Sequence, residues 1–152
     1  MKTLMSSLIL AATAALSATA VTSPALAQDA SITVTVEEIR DGGTLEVALY
    51  NSAESWDGDE PVSFDRAEPV DGRVTLTFDG LEAGEYAIRI YHDENADRQF
   101  NMNFMGVPTE GYGFSNNPFP RFRGARYDEA VFTVAAGETR EESVELMGGG
   151  YW

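Results

Sequence analysis

The chain has 152 residues, with 25 acidic residues against ten basic ones and a formal net charge of −15. A surface this acidic repels nucleic acid and anionic lipid, so the charge argues against nucleic-acid binding and favours cations or basic partners. The sequence contains no cysteine, which excludes disulfides, thiolate metal sites and cysteine catalysis, so an apolar core must hold the domain together.

Residues 1–27 have the pattern of a secretory signal peptide. Lys2 gives the positive start, residues 8–16 form a short apolar run, and Ala25 and Ala27 supply the small residues that a signal peptidase reads. The apolar run is shorter than the roughly 20 residues that span a bilayer. We therefore predict cleavage after Ala27, no membrane span in the mature protein, and a periplasmic or secreted location.

The remaining chain, residues 28–152, is predicted to form about seven short strands. These segments alternate apolar and polar residues with a period of two, and Gly-rich turns separate them. No sustained helical period and no internal repeat interrupts them. The pattern predicts one all-β domain, an antiparallel Greek-key β-sandwich of the immunoglobulin-like kind. The predicted strands are 31–36, 44–50, 67–70, 73–78, 85–91, 129–134 and 141–147, with a loop or short helical turn at 51–60.

Two further segments, one turn and the C-terminal tail, allow more specific predictions. Asp71-Gly72 is the strongest hairpin signal in the chain and predicts that the third and fourth strands pair with each other. The tail, residues 148–152, is glycine-rich and then aromatic, and it is predicted to be a flexible end that can tuck onto the sheet.

The segment 92–128 is the anomaly of the sequence, because it separates two predicted strands without an obvious regular element. Loops of this length are uncommon in compact domains and usually carry function or are disordered. Its aromatic content favours an ordered loop packed over the sandwich, and we expect the functional site there. The aromatic residues are Phe100, Phe104, Tyr112, Phe114, Phe119, Phe122 and Tyr127.

Oxygen-bearing side chains at the start of this loop are spaced as in a calcium loop. Such loops place ligands at positions 1, 3, 5, 7 and 9, need glycine at position 6 and end in a bidentate glutamate at position 12. Arg98 stands in place of that glycine and Phe104 in place of that glutamate. The alternative is a polar turn whose Asp and Asn side chains bond to their own backbone. The candidate calcium ligands are Asp93, Asn95, Asp97, Gln99 and Asn101.

His92 is the only histidine and the one candidate for a catalytic base. A hydrolase would pair it with Asp93 or Glu110, but one histidine is few for a zinc site. Ser115 lacks the pattern of a nucleophile elbow. The alternative role of His92 is to fix the loop entrance by hydrogen bonds, and no convincing catalytic constellation remains.

A basic stretch lies near the end of the loop. Arg121 and Arg123 stand beside aromatic residues and form either an anion site or, in a chain this acidic, internal pairs with Asp and Glu.

Several segments resemble one bacterial family. Residues 91–95, 103–117 and 81–86, together with Phe132, are similar to the exported proteins grouped as domain of unknown function 2141. The resemblance implies a secreted or periplasmic sandwich domain without an established activity. Residues 81–86 also resemble the transthyretin-like, or prealbumin-like, sandwiches. Family members often carry Asp-x-Asn-x-Asp-Gly after the histidine. If the family binds a cation there, the resemblance implies that Arg98, in place of that glycine, has weakened or removed the site in this chain.

Three hypotheses follow from these observations. The first is a non-enzymatic binding or accessory module of the cell envelope, whose aromatic loop binds an unknown protein, glycan or small ligand. It predicts an exposed apolar patch or a pocket lined by loop aromatics. The second is a calcium-stabilised domain, and the third is a hydrolase that uses His92. Further candidate contact residues in the loop are Tyr112, Phe114, Asn116 and Asn117.

Overall fold

The structure is a computed structural model that describes residues 29–120 and 123–151. The predicted signal peptide, residues 1–27, lies outside the described residues, as do Arg121 and Trp152. Across the described ranges, no helix is both long and apolar enough to cross a membrane.

Eight strands and two short helices make up the described chain. The strand at residues 111–114 was not predicted from the sequence. The predicted strand 67–70 shares only Ala67 with an observed strand, and the predicted strand 129–134 begins within a helix. The elements are β1 (Ala30–Val36), β2 (Thr44–Tyr50), α1 (Ala53–Asp57), β3 (Ser63–Ala67), β4 (Val74–Leu81), β5 (Gly84–Asp93), β6 (Gly111–Phe114), α2 (Tyr127–Ala130), β7 (Phe132–Val134) and β8 (Thr139–Val144).

The strands form two sheets. The smaller sheet has the order β4-β1-β8, and the larger has the order β3-β2-β5-β6, with β7 paired to the start of β5. Pairing is antiparallel throughout except between β1 and β8, which run parallel from Ser31 opposite Thr139 to Val36 opposite Val144. The prediction of an all-β fold with antiparallel pairing is therefore confirmed, except for the parallel pair of β1 and β8.

Alternate residues of the strands fill a core between the two sheets. In β1 the apolar residues are buried, while Thr33 and Thr35 face outward and meet the hydroxyls of Thr77 and Thr75. The outer face of the smaller sheet is therefore polar and open to water. The core residues of the central strands are Ile32, Val34, Val36, Leu45, Val47, Leu49, Ile88 and Ile90.

The outer face of the larger sheet is covered by a second apolar cluster. Helix α1 begins after Ser52, whose side chain accepts a hydrogen bond from the Ser55 amide at 3.1 Å. The helix places Trp56 over the sheet, where its indole N–H donates to the Ala125 carbonyl at 3.2 Å. Tyr50, Ala87, Phe114, Ala125 and Ala130 complete this cluster.

The Asp71-Gly72 turn forms, but the strands around it do not pair as expected. Both residues have positive φ angles, 53° and 72°, and Val70 bridges to Arg73 across the turn, as in a two-residue hairpin. Pairing stops at that bridge, because β3 pairs with β2 and β4 pairs with β1. The predicted pairing of strand 67–70 with strand 73–78 is therefore wrong, since the turn carries the chain from one sheet to the other.

The segment 92–128 is not a single loop. His92 and Asp93 end β5, and β6 and α2 divide the remainder. Glycine is disfavoured in β-strands, so the Gly-Tyr-Gly-Phe sequence of β6 does not predict a strand. The glycines are needed for close approach, because a Cβ on Gly113 would lie 2.5 Å from the carbonyl oxygen of Glu145.

We expect Gly113→Ala to lower the free energy of unfolding by about 1–3 kcal/mol, because its methyl group would overlap with the chain beyond β8. Gly124→Ala is the matched control, since its Cβ would meet no atom within 4 Å, and a change of at most about 0.5 kcal/mol is expected. Urea denaturation measures both variants. If both variants lose the same free energy of unfolding, the close approach of the chain at Gly113 does not require a glycine there.

Candidate functional site

The outer face of the larger sheet presents two rows of side chains. Strand pairing places residues of four strands side by side, and alternation along each strand keeps them on one face. Ala48 is the smallest of these residues and leaves a depression in the second row. The first row is Arg66, Glu46, Tyr91 and Tyr112, and the second row is Phe64, Ala48, Arg89 and Phe114.

A cleft of about 460 Å³ lies over this depression. We call it the aromatic cleft. Its volume falls within the roughly 300–1,000 Å³ of small-molecule sites. The loop segments contribute part of its wall, as the sequence predicts for a binding module. Its lining includes the second row, Glu46, Tyr91 and Tyr112 of the first row, and Tyr50, Asp59, Pro61, Ile90, Phe100, Gly124 and Ala125.

Six aromatic rings form a continuous chain at the aromatic cleft, and all of them except Trp56 line it. Successive ring centroids are 5.1–5.9 Å apart, and the rings are tilted or edge-to-face. Such pairs are worth about 0.5–1.5 kcal/mol each beyond their burial, so the wall is held in place by its own contacts. In order, the rings are Tyr91, Phe100, Tyr112, Phe114, Trp56 and Tyr50.

Arg89 is fixed at one end of the aromatic cleft. Its guanidinium donates to the Asp59 carboxylate at 2.8 Å and to the Trp56 carbonyl at 3.3 Å. The guanidinium carbon also lies 4.2 Å from the centroid of the Trp56 ring. The Tyr50 hydroxyl donates to the same carboxylate at 2.7 Å, and burial raises the pKa of Tyr50 to about 12. The charge of Arg89 is therefore already balanced within the protein.

Glu46 lies at the other end, and its ion pair with Arg66 is too long for a hydrogen bond. The residue is 3% exposed, and its Oε1 accepts no hydrogen bond from the described residues. The nearest guanidinium nitrogen, on Arg66, is 3.7 Å away. Burial is the main cause that raises the pKa of Glu46, and Arg66 opposes it. A buried carboxylate that accepts no hydrogen bond destabilises the fold unless a hydrogen-bond donor or a positive charge compensates it.

A second, smaller cavity of about 290 Å³ lies on the other side of Glu46. Besides Glu46, its lining consists of Thr44, Arg66, Asp93, Ala96 and Arg98.

Asp93, the first candidate calcium ligand, is buried and holds the following turn. Its two carboxylate oxygens accept hydrogen bonds from the backbone amides of Asp97 at 3.2 Å and Arg98 at 2.8 Å. Arg98 has a φ of 62°, the left-handed conformation that favours the glycine of a calcium loop. The backbone therefore makes the sharp turn, although a non-glycine residue occupies it.

Asp97 is the centre of the same polar turn. Its Oδ1 accepts from the Gln99 amide at 2.8 Å, and its Oδ2 accepts from the side-chain amides of Asn95 and Asn101 at 3.1 Å each. These hydrogen bonds, chiefly that from Asn101, lower the pKa of Asp97. In the described part of the chain, no group of three or more His, Cys, Asp and Glu residues is placed to hold a metal ion. Calcium binding stays a prediction.

Glu110 ties the polar turn to β6. Its buried carboxylate accepts from the Glu94 amide at 3.3 Å and from the Asn101 amide at 3.0 Å. Burial raises the pKa of Glu110, and the two amides oppose that effect.

His92 is fully buried, and hydrogen bonds occupy both nitrogens of its ring. Nε2 donates to the Gly42 carbonyl at 2.7 Å, and Nδ1 lies 2.8 Å from the Tyr151 hydroxyl. That hydroxyl also accepts from the Arg40 amide at 3.0 Å. His92 lines neither of the two cavities described above, and it connects β5 to the tail of the chain.

Asn116 and Asn117 fasten the chain after β6. The side-chain amide of Asn116 donates to the Val131 carbonyl at 2.8 Å. The side chain of Asn117 donates to the Ser143 carbonyl at 3.0 Å and accepts from the Glu145 amide at 2.8 Å. Both residues therefore have structural contacts with neighbouring segments.

Arg123 pairs within the protein. It makes a bidentate contact with Glu129, with both N···O distances at 2.7 Å, and hydrogen bonds led by that from Arg123 lower the pKa of Glu129 to about 2. The alternative of internal pairing is confirmed for Arg123, whereas Arg121 lies outside the described residues.

The floor of the aromatic cleft consists of strand residues that the loop-centred prediction missed. Glu46, Ala48 and Tyr50 occupy the outward positions of β2, where β1 carries hydroxyl residues. Tyr50 and Ala48 at outward positions of β2 are the features of the sequence that could have predicted a covered face, because a strand face in water usually carries polar residues.

The fold and the site define an all-β protein of two packed sheets with an aromatic cleft on the outer face of the larger sheet. Residues 34–142 match the family described as "Uncharacterized protein conserved in bacteria (DUF2141)", and the chain belongs to this family. This confirms the resemblance seen in the sequence. No curated protein and no solved structure matches the chain.

We expect Tyr151→Phe to lower the free energy of unfolding by about 1–3 kcal/mol, because it leaves His92 Nδ1 and the Arg40 amide without a partner. Tyr127→Phe is the matched control, since the buried Tyr127 hydroxyl has no hydrogen-bond partner among the described residues. Its removal should be neutral or slightly stabilising. Thermal and urea unfolding of both variants measure these changes. An unchanged free energy of unfolding in Tyr151→Phe would contradict the structural role of the contact with His92.

Proposed function

We propose that the protein is an exported, non-enzymatic binding module that takes a small ligand into the aromatic cleft. The observation that carries the proposal is the cleft of about 460 Å³, whose lining includes five rings of the continuous aromatic chain. Phe100, Tyr112 and Phe114, which the sequence analysis placed in the candidate loop, line it together with strand residues.

The contrast between the two outer faces supports a ligand in this cleft. The smaller sheet exposes Thr33 and Thr77, as expected for a face in water. The larger sheet instead covers its outer face with a second apolar cluster, yet leaves space above Ala48. Leaving apolar surface exposed costs about 25 cal/mol per Å², so a cleft lined by rings is a feature that a ligand would stabilise.

The wall of the cleft is also pre-organised. Arg89 is held by Asp59 and by the Trp56 carbonyl, and the rings hold one another. Binding therefore requires little ordering of flexible side chains, which would otherwise cost about 0.5–1.5 kcal/mol for each side chain.

A catalytic role for His92 has no support in the contacts of that residue. Both ring nitrogens are hydrogen-bonded within the protein, away from the two cavities. A general base needs a nitrogen that can reach a substrate or a water. The signal pattern of residues 1–27 supports export to the periplasm or beyond.

We also propose that the two sheets form a Greek-key sandwich of the immunoglobulin-like or prealbumin-like kind. The position of β1 between β4 and β8, and the passage of the chain between sheets after β3, support this topology.

We expect Ala48→Trp to abolish small-molecule binding, because the indole would occupy the depression at the centre of the cleft. Thr77→Trp places the same side chain on the outer face of the smaller sheet and serves as the control. Ligand-observed NMR with a panel of amines, sugars and aromatic acids measures binding. The proposal fails if the compounds that bind the wild type bind Ala48→Trp equally well.

Calcium binding by the polar turn at residues 93–101 is the second candidate function. The left-handed backbone of Arg98 favours it, since calcium loops turn sharply at that position. Against it, Phe104 is 98% exposed where a bidentate glutamate would be, and backbone amides already contact Asp93.

We expect millimolar calcium to leave the thermal unfolding midpoint of the chelated protein unchanged. A bound ion at a hundredfold excess over Kd would add about 2.7 kcal/mol of stability, so even a weak site is detectable. A rise in the midpoint that disappears in Asp97→Asn would contradict this expectation and make the turn a calcium site.

A further inference from the structure

The Oε1 atom of Glu46 is a buried acceptor that receives no hydrogen bond, although it forms an ion pair with the Arg66 guanidinium at 3.7 Å. Only 3% of the residue is exposed, and no described side chain or backbone amide donates a hydrogen bond to its Oε1. Buried carboxylates are normally paired or hydrogen-bonded. Asp93 and Glu110 of this protein follow that rule, since each accepts two backbone N–H groups. Glu46 differs from them, and it lines the aromatic cleft.

The charged groups around Glu46 lie mainly on the side away from the aromatic cleft. Arg66 from β3, Asp93 from β5 and Arg98 from the polar turn line the smaller cavity with it. Arg66 is too distant for a hydrogen bond at 3.7 Å. On the side of the aromatic cleft, the ionisable neighbour is Tyr91, whose pKa is raised to about 12, chiefly by burial. Tyr91 is therefore neutral, and it does not balance the charge of Glu46.

Within the aromatic cleft, the basic residue Arg89 forms an ion pair with Asp59. The Arg89–Asp59 pair is neutral as a unit. Glu46 is the remaining charged residue of the lining, and Arg66, which forms an ion pair with it at 3.7 Å, does not line the aromatic cleft. The whole protein is also acidic, with a formal net charge of −15. The local and the overall charge both attract cations.

The aromatic walls suit the same kind of ligand. The faces of aromatic rings attract cations at about 6 Å or less from the ring centroid. The protein already shows this contact within the cluster, where the Arg89 guanidinium lies over Trp56 at 4.2 Å. Near Glu46 the corresponding rings are Tyr91, which is opposite it on β5, and Phe100, 5.7 Å from Tyr91.

From these contacts we propose that the ligand of the aromatic cleft is a small organic cation, whose positive group binds Glu46 and whose apolar body packs against Tyr91 and Phe100. This inference rests on the ligand-binding function proposed above. An ammonium or guanidinium group would donate the hydrogen bonds that the carboxylate lacks.

Binding of a cation also has a consequence for the protonation of Glu46. Burial raises its pKa in the empty protein, and a bound cation stabilises the ionised carboxylate. Binding therefore releases protons in the range between the two pKa values, and affinity falls as the pH drops below the raised value. Calorimetry in buffers of different ionisation enthalpy measures that release.

The decisive experiment compares three probes of similar shape with wild-type protein. Phenethylamine carries a positive charge, 2-phenylethanol is neutral and 3-phenylpropionate is negative. NMR titration is expected to give a Kd for the amine at least about tenfold lower than for the other two, since a hydrogen bond to a charged group is worth about 1.5–3 kcal/mol.

Glu46→Gln tests the anchor, because it keeps the shape and removes the charge. It is expected to weaken amine binding about tenfold and to leave 2-phenylethanol unchanged, while Glu141→Gln on the outer face of the smaller sheet leaves both unchanged. Glu46→Gln also removes the ion pair with Arg66, so a melting curve checks that the variant is folded.

The outcomes separate the two proposals. If the alcohol binds as tightly as the amine and both are lost in Ala48→Trp, the cleft binds ligands but the cation inference is overturned. If the amine binds equally well to Glu46→Gln, Glu46 is not the anchor and the inference is likewise overturned. If none of the three probes binds, the cation inference fails, and the broader panel decides the function of the cleft.

Discussion

The pairing of β2 with β5 is the interaction on which the rest of the structure depends. Seven residue pairs, from Thr44 with Asp93 to Tyr50 with Ala87, hold these central strands of the larger sheet in one register. The inward residues of both strands fill the core, and their outward residues form the floor of the aromatic cleft. A slip of one residue would exchange the two sets. The burial of leucine and isoleucine on one face therefore fixes the positions of Glu46 and Arg89 on the other.

Much of the fold could be predicted because period-two alternation is a local signal. Strand β2 has the predicted bounds, 44–50, and the short helical turn after it is helix α1. Strand β6 escaped prediction because its glycines serve a non-local need, the close approach of the chain beyond β8. The pairing around Asp71-Gly72 was predicted wrongly for a related reason. A turn sequence specifies the turn itself, whereas the sheet that each strand joins depends on distant partners.

The candidate site could be predicted only in part. Loop aromatics were identified by composition, but Glu46 and Ala48 are strand residues whose role depends on what covers their sheet. The spacing of oxygens at residues 93–101 could not separate a calcium loop from a polar turn, because both direct the same side chains toward one centre. His92 was the more predictable case, since it shares the inward parity of Ile88 and Ile90 along β5.

The contacts of the tail also bear on the order in which the chain can fold. Strand β1 finds one of its two partners in β8, more than a hundred residues later, and His92 finds a partner in Tyr151. A growing chain that ends before these residues has an incomplete smaller sheet and an unpartnered buried imidazole. The domain therefore reaches its native state only after residue 151 has been synthesised. Such long-range closure is slow compared with the folding of helical proteins of similar length, and it leaves strand edges exposed in the meantime.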